Sequence, residues 1–170
     1  MGNILTFSGR VIDPLDPDPK QIVIEDIAHA LSLQCRYGGH CKRFYSVAEH
    51  SVLIWRYIWY HVNKKSALLH DAAEAYLVDV PSPVKDSIPQ YASIEDNLSR
   101  IIAKKFGAIY PWPHEVHVLD ESITIDERDQ NLAKPRRPGA DWPDRRALGI
   151  QLCYYSPDMA EATFLRAFYE

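Results

Sequence analysis

The sequence predicts an all-α fold with a short N-terminal hairpin, and three observations lead there. Beyond residue 23 the apolar residues recur mostly at helical spacing. Serine and glycine signals stand where several of these windows begin or end. Prolines gather between the windows rather than inside them.

The elements follow in order. Ile4-Leu5-Thr6-Phe7, Ser8-Gly9 and Arg10-Val11-Ile12-Asp13 read as the two strands and turn of the hairpin. Pro14, Pro17 and Pro19 then argue against a helix. Ile24, Ile27, Ala28 and Leu31 mark a first helix, which Arg36-Tyr37-Gly38-Gly39-His40 breaks with a flexible turn. Ser46-Val47-Ala48-Glu49 has the spacing of a capping box and starts a helix running to about Val62, with His50 near its first turn. Ser66 is expected to cap the next helix, which carries His70, Asp71 and Glu74 and ends at Pro81 and Pro83. Ser93 and Gly107 bracket another, with Ile94, Leu98, Ile101 and Ile102 on one face. After the rigid link Pro111-Trp112-Pro113 a helix runs from Glu115 to about Leu132. Residues 135–144, rich in Pro, Arg and Asp, read as a surface loop. Ser156-Pro157 opens a last helix, with Phe164, Ala167 and Phe168 as its buried side. No repeat and no domain boundary interrupts residues 1–170, so one domain is expected.

Composition narrows the function classes. A hydrophobic content of 46% and a charged content of 25% fit an ordinary soluble globular chain with one sizeable core. The net charge of −4 argues against a general nucleic-acid binder, although Lys42-Arg43 and Arg136-Arg137 are local basic clusters. Cys35, Cys41 and Cys153 are odd in number and lack zinc-finger spacing, so they read as reduced thiols in a cytoplasm. The apolar stretch from Val52 to Val62 is broken by Arg56 and too short to span a bilayer, and no secretory signal is expected.

The chemistry concentrates around His70-Asp71. Adjacent histidine and aspartate can offer a metal an imidazole nitrogen and a carboxylate oxygen together. With His50 upstream and an acidic residue downstream they form a set of N and O ligands suited to a divalent ion that activates water. Glu74 lies four residues from His70 and three from Asp71, on neighbouring positions one turn apart. Asp79 stands before Pro81, near the expected helix end. Two carboxylates beside a metal pair divide the work: one orients or deprotonates water, the other protonates or positions the leaving group. His29, His40, His61, His114 and His117 are the other candidates; His61 sits among aromatics and reads as structural, while His40 lies in the glycine turn, within reach of a ligand.

Ser46-Val47-Ala48-Glu49-His50-Ser51, His70-Asp71-Ala72-Ala73-Glu74 and Asp79-Val80-Pro81-Ser82-Pro83-Val84-Lys85 resemble the signature of HD-domain metal-dependent phosphohydrolases. The similar branch is that of the small 5′-deoxynucleotidases and their phage and bacterial relatives. Thr6-Phe7-Ser8-Gly9, Asp16-Pro17-Asp18-Pro19 and residues 24–31 look most like short HD proteins that include the phage dATP triphosphohydrolases. The resemblance runs from Thr6 to about Arg128.

It implies an HD-domain helical fold in which His50, His70, Asp71 and a distal aspartate hold the ion, with Glu74 and Asp79 as the acid/base and water-handling carboxylates. It implies Arg36 as a phosphate-holding arginine, Tyr37 as the aromatic against base or sugar, and Lys85 as a basic residue near the phosphates. Lys42 and Arg43 are candidates for adding charge there. For the distal ligand, Asp120 and Asp126 compete; Glu127-Arg128 resembles an acidic-basic pair about two turns past the ligand in relatives, which favours Asp120. Gly39, beside Tyr37, would leave space for a purine 2-amino group.

The activity implied is hydrolysis of deoxynucleotides, first as a dATP triphosphohydrolase giving deoxynucleoside and triphosphate. The alternatives are a 5′-deoxynucleotidase acting on dNMPs and a non-catalytic nucleotide-binding HD module. The ion expected is Mn²⁺, Co²⁺ or Zn²⁺, with Mg²⁺ as a candidate second ion. The expected setting is cytoplasmic (the host cytoplasm for a phage protein), with no membrane, no stable nucleic-acid complex, and self-association through aromatics such as Tyr154, Tyr155 and Phe168.

Overall fold

Helices carry most of the chain in the computed structural model, which describes residues 2–136 and 145–170. Residues 137–144 of the expected surface loop, and with them Arg137 of the second basic cluster, lie outside the described residues. The hairpin is short: β1 (Ile4–Leu5) pairs antiparallel with β2 (Val11–Ile12), Ile4 opposite Ile12 and Leu5 opposite Val11. It is tied to α1 (Ile24–Leu33) by Asp26, whose buried carboxylate accepts from Ser8 N at 2.7 Å and Ser8 Oγ at 2.8 Å. Phe7 stacks on His29 with centroids 3.7 Å apart. The core face of α1 is Ile24, Ile27, Ala28 and Leu31, as its spacing requires.

The expected flexible turn is a 3₁₀ segment over Arg36–Gly39, with positive φ at Tyr37, Gly38 and Gly39. Ser46 caps α2 (Val47–Tyr57), accepting from Glu49 N at 3.1 Å. The reciprocal half of the box does not form. Glu49 turns away and accepts from the backbone N–H groups of Cys153, Tyr154 and Tyr155 at 2.7–2.8 Å. α2 also stops short of Val62: the backbone turns extended at Ile58, and Trp59, Tyr60 and Val62 are exposed, so that apolar run is not one buried face.

Ser66 does not cap a helix. It lies inside α3 (Lys64–Leu69), buried, where its Oγ donates to Ile109 O at 3.1 Å and accepts from Ile109 N at 2.9 Å. The expected continuous helix through His70 is interrupted. Residues 70–73 form a tight turn with i→i+3 bonds (Ala72 N to Leu69 O, Glu74 N to Asp71 O) before α4 (Glu74–Leu77). Pro83 sits inside the first turn of α5 (Ser82–Lys85), where its missing N–H costs nothing. α6 (Pro89–Phe106) begins at a proline before Ser93 and ends at Gly107, whose left-handed φ of 73° lets the N–H groups of Gly107 and Ala108 cap Ala103 O. α7 (His114–Asn131) and α8 (Pro157–Tyr169) follow, α8 capped by Ser156.

α2 is the central element. It packs on α1, α3 and α8 through Val47, Ala48 and Val52, and on α7 through Leu53 and Ile54. Phe164 of α8 and Leu68 and Leu69 of α3 are fully buried around it. Truncating any of them costs about 2–5 kcal/mol. This rigid frame holds the first turn of α2 against the turn after α3 and against α7. No helix among the described residues is long and apolar enough to cross a membrane.

Candidate metal centre

Three elements deliver one ligand atom each to a common point. His50 comes from the first turn of α2, His70 from the turn after α3, and Asp120 from α7. Together they form a group that could hold a metal ion. His50 Nε2 lies 3.3 Å from His70 Nε2 and 3.1 Å from Asp120 Oδ1, and His70 Nε2 lies 3.8 Å from Asp120 Oδ1. Asp71 Oδ2 stands 3.6 Å from His50 Nε2 and 3.3 Å from His70 Nε2. Ligand atoms about 2.0–2.1 Å from a tetrahedral centre are separated by about 3.3–3.4 Å. The five separations bracket that value.

The outer ring nitrogens support the same reading. His70 Nδ1 is 2.9 Å from Ala67 O. A carbonyl only accepts, so Nδ1 carries the proton and Nε2 of the neutral ring presents a lone pair to the centre. His50 Nδ1 donates to Glu127 Oε1 at 2.7 Å, with the same result. Charge is concentrated here. Burial and the Arg36 charge push His50 down, but Glu127 and Asp120 outweigh them and leave it above its usual value. Burial opposes the His70 charge, yet Asp71 and Asp120 hold His70 well above the usual value. Burial disfavours the Asp71 carboxylate, but His70 brings it down to about 2.

Glu127, fully buried, is the hub of the outer shell. Besides His50 it takes Tyr45 OH at 2.8 Å, Tyr37 OH, and Arg36 Nη2 at 3.4 Å. Burial would raise its carboxyl, but Arg36 and His50 hold it at about 2. Arg36 also reaches Asp71 Oδ2 at 3.4 Å through Nη1. One arginine therefore bridges a residue beside the centre and the carboxylate that orients His50.

Two adjoining cavities, of about 460 and 240 Å³, share Asp71, Lys85 and Asp120. The larger is also lined by Arg36, Tyr37, Glu74, Asp79 and Thr124. Its volume falls in the range of small-molecule sites. Glu74 is buried, and its Oε2 has no hydrogen-bond partner among the described residues. Burial, then the charges of Asp71 and Asp79, pushes its carboxyl well above the usual range. Lys85 Nζ lies 3.9 Å from Glu74 and 2.6 Å from Glu95. Gln34 pins the segment between the two carboxylates, donating to Glu74 O at 3.0 Å and accepting from Asp79 N at 3.1 Å. Val78, between them, has a φ of 70°, an uncommon conformation for a β-branched residue.

Nine of the sequence-derived site residues thus meet at one place: His50, His70, Asp71, Asp120, Glu74, Asp79, Arg36, Tyr37 and Lys85. Gly39 and Arg43 do not join them. Gly39 is exposed and lines neither cavity. Arg43 stacks on Tyr154 at 3.8 Å and its backbone is bound to Asn131; exposed Lys42 also stands outside the cavities. Asp126 is not a solvated helix residue. It is buried and accepts from Leu148 N at 2.8 Å and Gly149 N at 3.0 Å. Sequence reasoning missed Gln34 and Tyr45 altogether. It used Glu127 only as a spacing marker, although two helical turns from Asp120 already put both on one face.

The chain is 42% identical over 146 residues to the uncharacterized protein YfdR of Escherichia coli (strain K12), covering 84% of this chain and 78% of that protein. It is 41% identical over 119 residues to the uncharacterized protein RCAP_rcc00048 of Rhodobacter capsulatus, covering 63% of this chain and 60% of that one. No family model matches the chain.

Proposed function

The chain belongs to the family of the Escherichia coli protein YfdR, and we propose that it is an HD-type, metal-dependent phosphohydrolase of deoxynucleotides. The observation that carries this reading is the convergence of His50, His70, Asp71 and Asp120 beside two carboxylates and two cations in one cleft. A structural cluster would not need Glu74 and Asp79 at its edge. A divalent ion held by the four ligands would supply Lewis-acid charge, making water nucleophilic at neutral pH and offsetting phosphoryl charge.

The protein's own groups do the rest. Arg36, fixed by Glu127 and Asp71, presents a planar fork to phosphoryl oxygens, and Lys85 adds a point charge. Glu74, whose carboxyl is raised well above the usual range by burial and its acidic neighbours, suits the role of proton donor to the 5′ oxygen of the departing nucleoside. Asp79, which lines the same cavity, orients the attacking water. With dATP, water adds at the α-phosphorus, the bond to the 5′ oxygen breaks, and deoxyadenosine and tripolyphosphate leave.

One observation favours a second reading, a 5′-deoxynucleotidase. Among the described residues, Arg36 and Lys85 are the cations lining the larger cavity, and Lys85 is already paired with Glu95. That charge suits a monophosphate as well as a triphosphate. The test is metal-free protein resupplied with Mn²⁺, Co²⁺ or Zn²⁺ and given dNTPs and dNMPs separately. Tripolyphosphate from dATP supports the first reading; orthophosphate from dNMPs alone supports the second. No turnover with any ion refutes both and leaves a nucleotide-binding module.

A further inference from the structure

Cys35 and Cys41 take no part in the proposed reaction, yet their Sγ atoms lie only 3.3 Å apart. Both residues are half-buried, open to small reagents. The frame holds them together from two sides. Cys35 forms an antiparallel bridge with Ser46, flanked by hydrogen bonds from Arg36 N to Tyr45 O at 2.9 Å and from Val47 N to Gln34 O at 3.1 Å. Directly after Cys41, Lys42 N donates to Asn131 O at 2.8 Å, and Arg43 exchanges two hydrogen bonds with the Asn131 side chain. The thiols therefore close the neck of one loop, residues 36–40. Its backbone is left-handed at Tyr37, Gly38 and Gly39, and it presents Arg36 and Tyr37 to the cleft.

We propose that Cys35 and Cys41 form a reversible modification site, a dithiol that closes to a disulfide across the neck of the Arg36–Tyr37 loop. A disulfide has its sulfurs about 2.05 Å apart, so these must approach by about 1.2 Å, within reach of side-chain rotation. With a peroxide as oxidant, one sulfur gives up its proton and attacks a peroxide oxygen. The O–O bond breaks, leaving a sulfenic acid and one water. The second sulfur then attacks the sulfenic sulfur. The S–S bond forms, the S–O bond breaks, and the departing hydroxide takes the second thiol proton as another water. The sulfur pair loses two electrons and the peroxide gains them. A thiol reductant reverses the change by exchange. Burial and the Cys35 contact push the Cys41 thiol up to about 11, so Cys41 rests as a thiol at neutral pH.

Closing the neck restricts the five residues between the sulfurs and stiffens the segment that holds Arg36 against Asp71 and Glu127. Its effect on catalysis rests on the proposed function; the disulfide itself does not. The test treats the full, Mn²⁺-supplied chain with hydrogen peroxide and reads two signals, peptide mass and amide hydrogen exchange. The peptide spanning residues 35–41 is expected to become lighter by two hydrogens, reversibly with dithiothreitol. Exchange of the amides of residues 36–40 is expected to slow by about tenfold or more. Cys35→Ser and Cys41→Ser each prevent both changes, and Cys153→Ser prevents neither. Oxidation confined to exposed Cys153, with Cys35 and Cys41 still alkylated, overturns the proposal. So does a Cys35–Cys41 bond that leaves exchange unchanged. Hydrolysis of dATP by the reduced protein is scored separately, and its failure would count against the function without touching the mass and exchange signals.

Discussion

Replacing Glu127 with glutamine separates a positioning role from a packing role, because it keeps the volume and removes the charge. The carboxylate gives two oxygens to four donors: Oε1 serves His50 Nδ1 at 2.7 Å and Tyr45 OH at 2.8 Å, and Oε2 serves Arg36 Nη2 at 3.4 Å and Tyr37 OH. An amide has one acceptor oxygen. If it faces His50 and Tyr45, its NH₂ meets Arg36, which cannot accept; if it faces Arg36, the NH₂ meets the His50 N–H. One charged contact is lost either way. Hydrogen bonds to charged groups contribute about 1.5–3 kcal/mol, so stability falls by at least that amount. His50 also loses the anion that fixes its tautomer, and losing such an outer partner weakens metal binding by about 10–100-fold, or about 1.4–2.7 kcal/mol. Calorimetric titration of Mn²⁺ into metal-free wild type and Glu127→Gln, with thermal melts alongside, measures both. If the variant melts early but binds Mn²⁺ as tightly as wild type, Glu127 is a packing residue and the orientation argument is wrong.

Three further outcomes are expected. Asp120→Ala abolishes tight Mn²⁺ binding, whereas Asp126→Ala leaves it intact and destabilises the fold by about 1–3 kcal/mol for each stranded N–H of Leu148 and Gly149; the reverse pattern in titrations and melts makes Asp126 the ligand. Mn²⁺ affinity falls on acidification, because Asp71, Asp120 and Glu127 outweigh burial and hold His50 and His70 protonated above their usual range. Each proton displaced costs up to about tenfold per pH unit, so titrations that agree at pH 8 and pH 6 contradict the ligand assignment. Glu74→Gln slows turnover but raises the melting temperature of metal-free protein at alkaline pH, by about 2–4 °C per kcal/mol relieved. The sign follows from its raised carboxyl: the folded chain binds that proton more tightly than the unfolded one, so stability falls as pH rises from the ordinary carboxylate range through the raised value. The gain should vanish near pH 4, about where the unfolded carboxyl also holds its proton; a gain persisting there points to another cause.

The parts legible in the sequence were those written in local chemistry. Helical spacing found α1, Ser46 and Ser156 announced two helix starts, and Gly107 announced an end. Adjacent His70 and Asp71 disclosed the place because two candidate ligands share one turn. What stayed hidden depends on distant packing. Ser66 looks like a cap until Ile109 approaches and takes both its hydrogen-bonding roles. The apolar residues past Tyr57 continue a helical pattern that the chain abandons at Ile58. Gln34 has no local signature at all; it matters because α1 ends where the strained turn at Val78 needs a clamp. Gly39, read as making space beside Tyr37, and Arg43, read as added charge near the phosphates, line neither cavity, and Arg43 lies over Tyr154 instead.

His50, His70 and Asp120 also belong to three segments that the polypeptide joins only through long excursions. An ion shared by them would act as a removable cross-link, closing those excursions at a point where three protonatable or negatively charged groups otherwise crowd together. Its contribution would grow with supply, reaching about 2.7 kcal/mol at a free concentration a hundred times its Kd. For such a chain, starvation for the ion is a folding stress as well as a catalytic one, and the first sign of it would be faster proteolysis around α7 rather than slower chemistry.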